Sequence, residues 1–381
     1  MSRLFEPFQI GPLELANRIV VAPMCQYSAT HGVASDWHLI HLGTLAMSGA
    51  GLLVLEATAV SPEARISPRD LGLYDEASEA ALARVLQAIR AYAPIRIAVQ
   101  LAHAGRKAST RPPWEGGGQL GPGEGTGTGK GKAEGWQTLG PSALPFARGD
   151  QPPQALDEAQ LEQVRAQFAA AAQRAGRLGF DGIEIHAAHG YLLHQFLSPI
   201  ANQRRDDYGG SLENRMRLTL EVFDAVRAAF PAERPVWMRL SATDWITGGW
   251  DIDSTLTLAE ALRRRGCAAV HVTSGGISPA QSIRTSPGYQ VPYSRRIKAK
   301  VGLPTIAVGL ITAPELAESI IANREADAVS LARALLYDPR WPWHAAARLG
   351  AQVWAPPQYW RCRPAGHDRL FLEGAPPPRA T

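Results

Sequence analysis

Short apolar runs rich in Val, Ile and Leu alternate along this chain with longer segments whose apolar residues recur at helical spacing. The runs are Arg18 to Met24, Leu52 to Thr58, Ile95 to Leu101, Gly182 to Ala188, Val236 to Ser241, Ala269 to Ser274, Thr305 to Leu310 and Ala328 to Ala332. None alternates strictly between apolar and polar positions. They therefore predict strands buried on both faces, as in a parallel sheet covered by helices. Asp36 to Met47, Ser78 to Ala91, Asp157 to Arg177, Ser211 to Ala229, Asp253 to Arg265, Val291 to Lys300 and Pro314 to Ala322 carry the helical period. Several of them open at a Ser or Asp suited to capping. Eight apolar runs alternating with helical segments predict an α/β fold, a closed (β/α)8 TIM barrel, as a single domain over residues 1–381. A doubly wound sheet competes, but no Gly-x-Gly-x-x-Gly follows the first run, which ends in Pro23-Met24-Cys25.

Three stretches depart from the repeat. Phe8 to Leu15 places turn residues between short apolar segments and predicts an N-terminal hairpin closing the barrel floor. Arg111 to Asp150, an extended loop after strand 3, is dominated by Gly, Pro and isolated Trp. Its centre, Gly116 to Gly131, holds so many glycines that ordering it costs much backbone entropy, and a mobile excursion is expected there. A phosphate-cradling loop is disfavoured at that point, since no strand leads straight into it and no helix follows promptly. Residues 350–381 form a tail.

Composition narrows the function. A chain of 381 residues with 45% hydrophobic content can bury a large core. Its formal net charge is +4 and its arginines are dispersed, without the basic stripe of a nucleic-acid binder. No window reaches membrane-spanning length, and the start Met1-Ser-Arg-Leu-Phe-Glu-Pro7 lacks a signal-peptide core, so a cytoplasmic enzyme is expected. Cys25, Cys267 and Cys362 are too scattered for a disulfide framework or an iron–sulfur ligand set.

Barrel chemistry sits just past the strand ends. There the chain supplies Met24-Cys25-Gln26-Tyr27, Glu56-Ala57-Thr58, Gln100 to Arg106, His186 to Tyr191, Arg239, Ser274-Gly275-Gly276, Gly309 and Arg333. Hydrogen-bonding and cationic groups are many and carboxylates few. Glu56 and Glu184 are not clearly placed as the acid pair of a glycosidase, and strand 1 lacks the further ligands that would make His186 and His189 a metal site. Gly309 and Arg333 fall where barrels bind phosphate, so an anionic cofactor fits better than a metal. The two imidazoles and the phenol of His186, His189 and Tyr191 can hold a carbonyl oxygen and deliver a proton.

The pieces Asn17-Arg-Ile-Val-Val-Ala-Pro-Met-Cys25 with Tyr27, Glu56-Ala57, Gln100-Leu-x-His-Ala-Gly-Arg106, Gly182-x-Glu-Ile-His-x-Ala-His-Gly-Tyr-Leu192, Phe196-Leu-Ser-Pro199, Asn202, Arg205-x-Asp-Tyr-Gly-Gly-Ser-x-Glu-Asn-Arg215 and Arg239 span most of the chain. In this order they resemble the old yellow enzymes, flavin-dependent ene-reductases, and within them the branch of xenobiotic reductases and thermophilic-like enzymes.

That resemblance implies tightly bound, non-covalent FMN reduced by NADPH or NADH. Pro23, Met24, Cys25, Ala57 and Gln100 would surround the flavin ring, with Gln100 on its pyrimidine edge and Arg239 facing its N1/O2 side. Gly309 and Arg333 would hold the phosphate, with Ser274 to Gly276 assisting and Ala332 also on the cofactor. His186 and His189 would bond the oxygen of an α,β-unsaturated carbonyl, the flavin would give hydride to the β-carbon, and Tyr191 would protonate the α-carbon. Cys25 would tune the flavin and touch substrate without acting as a nucleophile, since no activating partner is evident. Tyr27 would line the carbonyl side.

Relatives in this branch complete a neighbouring subunit's pocket from the C-terminal segment, so a homodimer or higher homo-oligomer is expected, in which Trp360 or Arg361 crosses the interface and Trp360 reaches substrate. Plainer roles are expected elsewhere: His103 and Arg106 shape the strand-3 loop, Cys267 sits in the core, and His38 and His41 are surface or packing residues. Another FMN-dependent barrel dehydrogenase or oxidase, or a non-catalytic flavin-binding barrel, remains as the alternative.

Overall fold

The computed structural model of the chain describes residues 2–125 and 135–372. Two short strands, β1 (Phe8–Ile10) and β2 (Leu13–Leu15), pair antiparallel before the barrel begins. The chain then runs β3 (Ile19–Val21), α1 (Asp36–Ala46), β4 (Leu52–Ala59), α2 (Glu76–Arg90), β5 (Arg96–Ala102), β6 (Leu139–Gly140), β7 (Gln154–Ala155), α3 (Glu158–Arg177) and β8 (Gly182–Ala187). There follow α4 (Leu192–Leu197), α5 (Leu212–Ala229), β9 (Val236–Ser241), α6 (Ile252–Arg264), β10 (Val270–Thr273), α7 (Val291–Val301), β11 (Thr305–Ala307), α8 (Pro314–Ala322), β12 (Ala328–Leu331), α9 (Arg333–Tyr337) and α10 (Trp341–Leu349).

Strands β3, β4, β5, β8, β9, β10, β11 and β12 close in that order into a barrel whose pairs are all parallel. This is the (β/α)8 TIM barrel expected from the alternation of apolar runs and helical segments. All eight residues of β4 are buried, as a strand covered on both faces requires. On α3 the buried Leu161, Val164, Phe168, Ala171, Ala172 and Ala175 form one stripe against the sheet. The helix starts follow the caps: Asp75, Asp157, Ser211 and Asp251 accept the backbone N–H of Ser78, Gln160, Asn214 and Ser254.

The hairpin lies at the floor. Its Ile10, Leu13 and Leu15 are buried in the main core, and a side chain added at Gly11 in its turn would lie 3.3 Å from Ala268, just before β10. Part of the expected excursion, residues 126–134, lies outside the described residues. Its flanks are tied down: Arg111 N–H donates to Gly118 O (2.9 Å), Trp136 N–H to Ser109 Oγ (3.0 Å) and the Trp136 indole to Glu63 O (3.0 Å), while β6 pairs with β7. No described helix is long and apolar enough to cross a membrane.

One close contact inside the barrel positions what lies above it. A Cβ on Gly182 would sit 2.4 Å from the ring of the buried Trp237. Gly182→Ala is therefore expected to lower stability by about 1–3 kcal/mol through overpacking, read as a reduced denaturation midpoint; an unchanged midpoint would show the indole free to shift.

Candidate active site

The residues past the strand ends converge at one mouth. His186, on β8, pairs in register with Arg239 on β9, which pairs in turn with His271 on β10. The His186 ring stands edge-on to Tyr191 (4.9 Å between centroids) and to His189 (5.2 Å). Nδ1 of His186 accepts the N–H of Ala188 at 3.2 Å, so the neutral ring carries its proton on Nε2, which meets no protein acceptor among the described residues. Burial, then the charge of Arg239, holds both imidazoles well below their ordinary range, so both are neutral.

His189 sits on a left-handed backbone, φ +57°, in a turn where Gly190 and Gly276 meet almost backbone to backbone. A Cβ on Gly190 would lie 2.1 Å from Gly276 O, and one on Gly276 2.4 Å from His189. Lys107 Nζ pins this crossing by donating to His189 O (2.8 Å) and Gly276 O (3.0 Å). Burial, then Arg106, lowers that ammonium to about 8.

Tyr191, like Cys25 and Trp136, packs against a buried cluster that includes Ala57 and Ile66, and its hydroxyl has no hydrogen-bond partner among the described residues. Burial foremost, then Cys25, Tyr27 and Asp70, pushes the phenol well above its ordinary range, so it remains a proton carrier. Cys25 is likewise raised by burial, Asp70 and Glu56, so its thiol stays protonated. Its loop is held by Glu56, which accepts Gln26 N–H at 2.9 Å and lies 3.4 Å from His38 Nε2. His38 is thus a fully buried partner rather than a surface residue, while the half-buried His41 stacks on Trp37. Tyr27, φ +50°, meets the edge of Trp114 at 5.7 Å. Trp114 and Phe146, whose ring lies 4.5 Å from Lys107 Nζ, bring the loop after β5 to the mouth.

Below these groups lies a polar layer. Gln100 Nε2 donates to Glu184 Oε1 (2.7 Å), and Glu184 Oε2 takes the indole N–H of Trp237 (2.7 Å) and Nδ1 of His271 (2.8 Å). Arg239, 7% exposed, makes no hydrogen bond to the described protein, and its Nε is buried without a partner. A buried guanidinium with open donors, beside a glutamine whose Oε1 has no donor among the described residues, fits a planar ligand edge carrying both acceptors and an N–H. The pyrimidine edge of FMN has that pattern.

Toward β10 and β11, Ser274 Oγ donates to Gln290 Oε1 (2.6 Å) and Gly276 N–H to Gln281 Oε1 (2.6 Å). Gly309, φ +125°, approaches the same Gln290: a Cβ there would lie 2.9 Å from its Nε2. Arg333 opens α9 behind Ala332, exposed and near Tyr289, whose ring also borders Gly309. These residues share one neighbourhood at the expected phosphate end. Pro23 and Met24 follow β3, with Met24 against the core. His103 and Arg106 do shape the loop: His103 Nδ1 accepts Gly105 N–H (3.0 Å), and Arg106 donates to Ile277 O (2.7 Å) and Leu144 O (3.1 Å). Cys267 is buried. Trp360 is held by its own tail, its indole N–H on Ala355 O at 3.0 Å, and its contacts are with the α10 cluster rather than with the mouth. Lys107, Asp70, His271 and Trp237 are not singled out by the sequence. Only Lys107 carries a signal there, as the residue following the Gln100 to Arg106 motif.

The family model described as NADH:flavin oxidoreductase / NADH oxidase matches residues 3–352. An NADPH dehydrogenase of Geobacillus thermodenitrificans is 40% identical over 360 residues, covering 94% of this chain and 98% of the relative. An NADH:flavin oxidoreductase of Gibberella zeae is 40% identical over 369 residues, covering 92% and 87%. Among solved structures, morphinone reductase superposes with a TM-score of 0.74 at 31% identity, covering 92% of this chain and 91% of that one.

Proposed function

The chain belongs to the NADH:flavin oxidoreductase / NADH oxidase family, the old yellow enzymes, and from that premise we propose that it reduces the activated C=C bond of α,β-unsaturated carbonyl compounds. It is an NAD(P)H-dependent oxidoreductase whose cofactor is FMN. The net reaction converts enone, NAD(P)H and a proton into saturated ketone and NAD(P)+. When bound, FMN supplies the relay that accepts hydride from the nicotinamide and passes it to the β-carbon of the alkene.

The protein's part is to hold the flavin edge, polarise the carbonyl and deliver a proton. Gln100 and Arg239 would take the pyrimidine edge, and the fixed charge of Arg239 suits the negative charge that reduction places there. His186 Nε2–H donates to the substrate oxygen, where negative charge develops. His189 does the same through Nδ1 if its Nε2, 3.0 Å from Thr273 Oγ1, accepts that hydroxyl proton. Gln290 Oε1 lies 3.2 Å from the same hydroxyl and also accepts Ser274 at 2.6 Å, so Nδ1 of His189 is a donor in the tautomer whose Nε2 takes the threonine proton. Tyr191 then gives its proton to the α-carbon.

The observation that carries this reading is the convergence of a neutral Nε2–H donor on His186 and a phenol on Tyr191, ring centroids 4.9 Å apart, beside a buried guanidinium, the phenol and guanidinium both without a hydrogen-bond partner among the described residues. Incubating the holoenzyme with NADPH and 2-cyclohexenone under nitrogen is expected to yield cyclohexanone in step with NADPH consumed. NADPH oxidation that requires oxygen and forms no ketone would support the oxidase alternative instead.

A further inference from the structure

Glu184 is fully buried and both its oxygens are occupied. An ionised carboxylate only accepts hydrogen bonds, so every group facing it must donate. Trp237 can only donate, through its indole. His271, kept neutral by burial, donates through Nδ1. Gln100 is the one partner with a choice, because its amide has a donor end and an acceptor end. Facing an acceptor-only oxygen at 2.7 Å, it must turn its NH2 inward, which leaves Oε1 as the end without a partner among the described residues.

We propose that Glu184 is a positioning residue that dictates which end of the Gln100 amide meets the cofactor, making the site selective for a ring edge that donates a hydrogen bond, such as N3–H of FMN. This rests on the flavin reading of the site and adds a determinant that does not itself touch the cofactor. The carboxylate is dependable in this role. Burial would push it up, but the hydrogen bond from His271, the charge of Arg239 and the hydrogen bond from Trp237 hold it below the usual carboxylate range, so it stays ionised across the working range.

Glu184→Gln makes the dependence visible. The new amide has one acceptor, and two donors, Trp237 and His271, converge on one side of it. Its oxygen therefore turns to them and its NH2 turns to Gln100, which must flip and present a donor to the flavin N–H. FMN binding to the apoprotein, followed by fluorescence, is expected to weaken about ten- to hundredfold. The exchanged pair Glu184→Gln with Gln100→Glu restores an acceptor-only group at position 100. That carboxylate takes the N–H of the amide at position 184 and still offers an oxygen to the cofactor, so the pair is expected to regain most of the lost affinity. A merely structural role for Glu184 would not be rescued this way.

Parent-like FMN affinity in the single variant overturns the proposal, as does an exchanged pair that is folded by circular dichroism yet binds no better. If the single variant does not fold, the exchanged pair decides alone: folded and FMN-binding supports the proposal, folded and flavin-free overturns it. Failure of the parent apoprotein to bind FMN would count against the flavin reading itself.

Discussion

Replacing Tyr191 by Phe is expected to slow enone reduction about 10²–10⁴-fold while NADPH reduces the flavin at the parent rate. In the proposed reaction the phenol protonates the α-carbon, and its hydroxyl has no partner among the described residues to hold it elsewhere. Tyr27, also raised by burial, lies on the Trp114 side of the mouth, so Tyr27→Phe should cost far less. Stopped-flow measurement of the two half-reactions separates the outcomes. Equal slowing of both would place Tyr191 in packing rather than proton delivery.

The same chemistry sets the pH dependence. The phenol is held up and the imidazoles down, so none of the three changes charge between about pH 6 and pH 9. Asp70 does titrate there: burial raises it to about 7, and its charge is felt at Tyr191 and Cys25. As pH rises through that value Asp70 ionises and makes Tyr191 a weaker acid. The enone step is therefore expected to slow across that limb, and Asp70→Asn should remove the limb. Persistence of the limb in the variant would assign it to another group, such as Lys107.

The second large effect belongs to the two histidines proposed to hold the carbonyl oxygen. His186→Leu removes the free Nε2–H and is expected to cost about 10²–10³-fold in the enone step. His189→Asn should be mild, because asparagine offers an N–H and tolerates the left-handed backbone that His189 occupies at φ +57°. His189→Leu loses the donor and strains the turn against Gly276. Rates for the three variants, compared with their melting temperatures, distinguish donation from packing. An inactive but stable His189→Asn would contradict the donor account.

The barrel is legible in the sequence because each strand is a continuous apolar run, but the strand ends are not. The first run extends to Met24, yet β3 ends at Val21. Ala22 N–H still reaches Leu331 O, and beyond it the chain leaves the sheet to carry Pro23 to Tyr27 across the mouth. The seventh run stops likewise at Ala307. Helix α4 escapes a sequence reading because all six residues are buried and show no amphipathic period. At the site, His186, His189 and Tyr191 announce themselves by spacing on one segment. Glu184 lies inside the same motif, but its role depends on Gln100, Trp237 and His271, which come from three other strands. Only the register of the barrel, Gln100 opposite Glu184 and Glu184 opposite Trp237, brings them together.

The most direct test of the central claim is to reduce the holoenzyme with one equivalent of NADPH in the absence of oxygen, then mix it with 2-cyclohexenone and follow the visible flavin band. The band is expected to bleach with NADPH and to return with the enone, at a rate that collapses in Tyr191→Phe. A band that bleaches but stays bleached with enone, and recovers only when oxygen is admitted, would contradict the claim.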